Sequence, residues 1–121
     1  MRFLIVCGAG ALGCGTRYLV AQWLGDRAFP YATLLVNLVG SFLITLVIEL
    51  ALGRADFPPN LRLALTTGFM GGLTTYSSFN HESLALVLDG NVLRGFAYVA
   101  VTLVGCAVAG LLGLIVARAV S

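Results

Sequence analysis

Residues 66–79, TTGFMGGLTTYSSF, gather three glycines, six Ser and Thr hydroxyls and Tyr76 inside a long apolar stretch. Gly68, Gly71 and Gly72, followed by Thr74, Thr75, Ser77 and Ser78, can unwind a helical turn and let hydroxyls re-satisfy the freed backbone groups. Any one of these glycines alone would be read as a packing residue. Together they point to a broken membrane helix, whose exposed carbonyls and half-helix amino termini commonly build an ion site. Bond-making chemistry has no such support, since no paired nucleophile and base and no metal cluster is evident. Cys7, Cys14 and Cys106 lie in apolar stretches without metal-ligand spacing, as small core residues do. We assign them no redox role.

The elements that must position this segment are membrane helices. Of the 121 residues, 60% are hydrophobic and 10% charged, against roughly 25% charged in a soluble domain. A bilayer core of about 30 Å needs about 20 apolar residues per helix, and four stretches qualify: 3–24, 31–52, 61–88 and 92–116. The expected fold is all-α, one four-helix transmembrane domain over 1–121 with a central break in helix 3. Only short connectors at 25–30, 53–60 and 89–91 remain, which leaves no room for a soluble catalytic domain. Seven arginines and no lysine, spread singly, give a net charge of +2, and nucleic acid is excluded as a partner for want of a basic patch.

Two features of the amino terminus mislead. Gly8, Gly10 and Gly13 form G-x-G-x-x-G, but a dinucleotide turn requires a βαβ unit and none follows. We read Gly8, Gly13 and Gly15, with Ala9 and Ala11, as small-residue faces for close helix approach, a device repeated at Gly105, Ala109 and Gly113. Arg2 before an apolar stretch also resembles a signal peptide, yet three further spans follow, so the segment is taken as the first transmembrane helix. With alternating helices, Arg2, Arg54, Arg62 and Arg118 fall on one side and Arg27 and Arg94 on the other, joined there by Arg17 if it is counted. Orientation follows such imbalance. A near tie permits insertion both ways up and hence an antiparallel homodimer, while a modest bias also suffices for a single orientation.

Helical rise places the polar groups. With helix 3 starting at Leu61, Gly71 and Gly72 lie about 15 Å in, near the midplane, and Tyr76 and Phe79 about 22 and 27 Å. Asn37 and Thr33, counted back from Tyr31, come to about 21 and 27 Å, and Arg17, counted from Phe3, to about 21 Å. Amide, phenol and guanidinium thus share one level.

Three motifs carry a family resemblance: GCGTRY at 13–18, ATLLVNLVG at 32–40 and GFMGGLTTYSSF at 68–79, followed by Glu82. In them the chain resembles the CrcB/Fluc family of fluoride channels along nearly its whole length. The resemblance implies a dual-topology antiparallel homodimer in the bilayer, two separate anion pores, passive exit of cytoplasmic fluoride that confers fluoride resistance, and a structural sodium ion at the two-fold axis. It would place sodium at the backbone carbonyls of Gly71 and Thr74 and Asn37 in the pore as an amide donor with Thr33 nearby. Tyr76 and Phe79 would be the aromatic pair beside the fluoride path, and Ser77, Ser78 and Thr102 further hydroxyl donors. Ring edges carry positive potential and can face a small anion without holding it too tightly. For Arg17, anion attraction at a vestibule stands beside a stem that snorkels to the interface. Glu82 matches a family acid and is expected, with His81, at the interface as a solvated group. Passive fluoride export implies a bacterial plasma membrane.

The sequence departs from the family where Tyr76 replaces a usual Phe, and where Cys106 and Gly110 stand in a helix 4 track of Ser or Thr. A coupled multidrug exporter of similar size needs a membrane-embedded carboxylate, and helix 1 has none; Glu49 lies near the end of helix 2. A purely structural subunit would not need the hydroxyls of helix 3.

Overall fold

In a computed structural model, which describes residues 1–25 and 27–120, the chain is helical apart from short turns. Helices α1 (Arg2–Leu24), α2 (Tyr31–Leu52) and α6 (Val92–Val120) are each long and apolar enough to cross a membrane. The third predicted span is interrupted. It comprises α3 (Pro59–Leu63), a π-helical segment (Ala64–Met70), α4 (Gly71–Leu73) and α5 (Tyr76–Leu88). Pro59 opens α3, where its missing N–H costs nothing. Gly25 (φ 67°) and Gly90 (φ 88°) close α1 and turn the chain between α5 and α6, at φ values open chiefly to glycine.

The bundle is assembled by small residues, as lipid requires. A methyl group on Gly13 would overlap the Phe69 carbonyl, one on Gly72 would overlap the Gly10 carbonyl, and one on Gly68 would meet Ala9 Cβ at 2.6 Å. So α1 lies directly on the first half of the third span. Gly113 meets the Phe42 backbone and Gly105 meets Leu38, which seats α6 on α2. Gly8 and Gly15, expected on the packing face, have nothing within 4 Å; α1 turns Ala9, Gly10 and Gly13 toward its neighbour instead.

The apolar surface is largely outside. Phe3, Trp23, Leu93 and Leu103 are 77%, 78%, 83% and 60% exposed, an arrangement that only a hydrocarbon solvent makes favourable. Two small clusters lie within: Val36, Met70 and Leu73 beside the break, and Phe79, Leu86 and Tyr98 beyond it.

The break itself differs from expectation. Gly71 and Gly72 remain helical, and the backbone opens one turn later, at Thr74 (φ −88°, ψ 155°) and Thr75 (φ −152°, ψ 125°). The physical reason is that Gly68 and Gly72 serve contact with α1, whereas two β-branched threonines tolerate extended backbone well.

Candidate functional site

Two extended residues in mid-span leave backbone groups without helical partners, and hydrocarbon cannot supply them. The partner is Asn37. Its Nδ2 donates to the Thr75 carbonyl at 3.0 Å, and its Oδ1 accepts from the Thr75 N–H at 2.9 Å. A single amide therefore satisfies both backbone groups of one residue from a buried position on α2. The Thr75 hydroxyl then caps α5 by accepting from the Ser78 N–H at 3.3 Å, and lies 3.3 Å from both the Ser77 and Ser78 hydroxyls. Hydroxyls are expected to re-satisfy the break, and the Thr75 hydroxyl does so for the Ser78 N–H; the amide takes two further backbone groups.

These bonds release two carbonyls. In an unbroken helix the Thr75 N–H would reach the Gly71 carbonyl, and the Ser78 N–H the Thr74 carbonyl. Here those donors go to Asn37 and to the Thr75 side chain. The intervening Gly72 carbonyl accepts from Arg17 Nε at 3.0 Å. Arg17 is thus anchored at the end of α4, in keeping with a cation at a helix carboxyl terminus.

Two recesses flank the break. One, of about 330 Å³, is lined by Asn37, Thr74, Thr75, Tyr76, Phe79 and Thr102 among others, Cys106 included. The other, of about 440 Å³, is bordered by Arg17, Thr33, Thr75, Ser78 and Glu82. The candidate residues therefore form two groups that share Thr75. Ser77 and Gly71 border neither recess.

Depth counting placed Asn37 opposite Tyr76 and Thr33 opposite Phe79. In the structure Asn37 meets Thr75, and the Thr33 hydroxyl donates to Glu82 Oε1 at 2.6 Å. Extended residues rise about 3.3 Å each rather than 1.5 Å, which pushes Tyr76 past the level of Asn37. Helical side chains lean toward the amino terminus, so the long Glu82 side chain reaches back a turn. Glu82 is consequently a half-buried, hydrogen-bonded carboxylate rather than a solvated one, while His81 is exposed.

The aromatic pair is edge-on. Tyr76 and Phe79 have ring centroids 5.7 Å apart at 67°, and Phe79 continues to Tyr98 (5.2 Å, 62°) and Tyr98 to Phe29 (5.4 Å, 82°). Tyr76 is 74% exposed whereas Phe79 is buried. Tyr98 and Phe29 were not singled out in the sequence. The readable signal was the i, i+4 spacing of Tyr98 and Thr102 on one face of α6. The Thr102 hydroxyl is buried with no hydrogen-bond partner among the described residues, an arrangement costly enough to ask for a ligand or water.

Positive ring edges, an amide and the unpaired Thr102 hydroxyl can line a route for a small anion, and the freed carbonyls suit a cation. Residues 4–114 match the family described as CrcB-like protein, Camphor Resistance (CrcB). A protein of Anaeromyxobacter sp. (strain K) named fluoride-specific ion channel FluC is 49% identical over 121 residues, covering 97% of this chain and 95% of its own. Proteins of the same name from Geobacter sp. (strain M21) and Sorangium cellulosum (strain So ce56) are 50% identical over 114 residues and 47% over 112. They cover 91% and 90% of this chain and 91% and 88% of their own.

Proposed function

Because the chain belongs to the CrcB-like family, we infer that it is what its relatives are named, a fluoride-specific ion channel, embedded in the membrane as a multi-pass helical protein and not an enzyme. The observation that carries the reading is the opened backbone at Thr74–Thr75, held by Asn37 beside a recess that also contains Phe79, Tyr76 and the unpaired Thr102 hydroxyl. An anion moving there meets ring edges and hydroxyl donors one after another, with no arginine or lysine among the described residues that line the recess to trap it. Weak, serial contacts are what conduction demands. Arg17, whose Nε is already engaged by Gly72, borders the other recess and raises the local anion concentration without lying in that path.

The finer reading is passive exit of cytoplasmic fluoride across a bacterial plasma membrane, through an antiparallel homodimer. A sodium ion would be held by the carbonyls of Gly71 and Thr74 from both subunits. Support for these ligands is that both carbonyls have lost their helical donors, and a hard cation prefers oxygen ligands. When bound, sodium supplies a fixed positive charge that ties two breaks together.

Efflux from liposomes tests the function. Vesicles containing the purified protein and loaded with fluoride should release it when a potassium ionophore is added, whereas chloride-loaded vesicles should not. Equal release of both anions, or no release from folded protein, would refute the channel.

A further inference from the structure

Far from the break, at the end of the bundle where α1 begins and α2 ends, a recess of about 310 Å³ is lined by Arg2, Phe57, Pro59, Arg62, Thr66 and Thr67 among others. Two arginines on different helices border one hollow, with no Asp or Glu among the described residues of its wall. Among the described residues neither side chain makes a hydrogen bond or an ion pair, although Glu49 and Asp56 lie toward the same end of the chain's path. The Thr66 hydroxyl is engaged by the Arg62 carbonyl at 2.7 Å, while the Thr67 side chain is exposed and without a partner. Arg2 is the first residue of α1 and Arg62 the fourth of α3, so both stand where hydrocarbon gives way to headgroups. Phe3 and Leu61, next in sequence to the two arginines, Leu4, and Leu52, next to Ala51 of the recess wall, are exposed and offer an apolar rim at the same end of the bundle.

We propose that this recess binds the phosphate of an anionic phospholipid, with Arg2 and Arg62 as a two-sided clamp, Thr67 as a hydroxyl donor and the apolar rim receiving the acyl chains. Guanidinium forks match phosphate geometry bidentately, and basic pockets between membrane helices bind such headgroups. A phosphodiester anchored by its acyl chains is preferred over a free anion because only the lipid also covers the rim. The inference requires that the chain lie in a bilayer but is independent of what the chain conducts.

Native mass spectrometry of the detergent-purified protein, offered phosphatidylglycerol and phosphatidylcholine in equal amounts, tests it. Phosphatidylglycerol should be retained preferentially, and the double variant R2Q/R62Q should bind it about 30-fold more weakly, the effect of losing two basic groups near an anionic headgroup. R2K/R62K should keep part of the preference, and R54Q, which alters an arginine outside the recess, all of it. Equal retention of the two lipids by the unmodified protein would overturn the proposal without need of any variant. So would a preference that survives R2Q/R62Q, a loss in R54Q as large as in the double variant, or full displacement of the lipid by inorganic phosphate, which would make the recess a free-anion site.

Discussion

At the scale of single residues, Asn37 has the clearest consequence, because both ends of its amide are engaged by one backbone unit. Asn37→Ala leaves a donor and an acceptor unpaired at membrane depth, at about 1–3 kcal/mol for each buried group. The variant should unfold at lower temperature and conduct poorly; normal fluoride efflux would show that the break holds without the amide. Asn37→Asp keeps the acceptor for the Thr75 N–H but sets a carboxylate oxygen against the Thr75 carbonyl, so it should not rescue flux. Tyr76→Phe retains the ring edge toward Phe79 and removes only a hydroxyl on an exposed side chain. Efflux in that variant should stay within a few-fold of the parent, and a near-complete loss would place the phenol itself in the ion's path. The sequence already contained these residues at about the right depth. It could not reveal that Asn37 bonds backbone rather than facing the anion alone, because hydrogen-bond partners depend on how two helices are set against each other. Tyr98 escaped notice since a lone tyrosine in an apolar helix looks like an interfacial anchor until its neighbours are known.

At the scale of elements, the interrupted third span was legible from its composition, but the position of the opening was not. Glycine-rich sequence marks either unwinding or close approach. Gly72 and Gly68 turn out to serve contact with α1, and the threonines serve the opening. This division predicts opposite outcomes for similar substitutions. Gly13→Ala forces a methyl into the Phe69 carbonyl and should cost about 1–3 kcal/mol, as overpacking does. Gly8→Ala meets nothing and should leave thermal unfolding in detergent unchanged; similar melting of the two variants would contradict the packing described. Thr75→Ala removes the cap of α5 and should cost about 1 kcal/mol, the ordinary worth of such a residue.

At the scale of the whole molecule, one chain leaves an unusual amount unfinished: an open recess beside the break, freed backbone carbonyls at the break and an apolar exterior. Lipid accounts for the exterior. A second copy related by an axis through the break would face both the recess and the carbonyls, and a sodium ion shared between the copies would use the oxygens that Asn37 and Thr75 leave free. Replacing sodium by a large organic cation during purification should therefore lower flux and loosen the dimer together, while unchanged behaviour would remove the ion from the account. Crosslinking should capture antiparallel pairs, and parallel pairs alone would refute the assembly. The central claim remains selective anion conduction, and the most direct test is electrical. In a planar bilayer containing the purified protein, with a fluoride gradient and equal chloride on both sides, the current should reverse at the equilibrium potential for fluoride. Reversal at the equilibrium potential for chloride, or no current from protein shown to be folded and inserted, would contradict it.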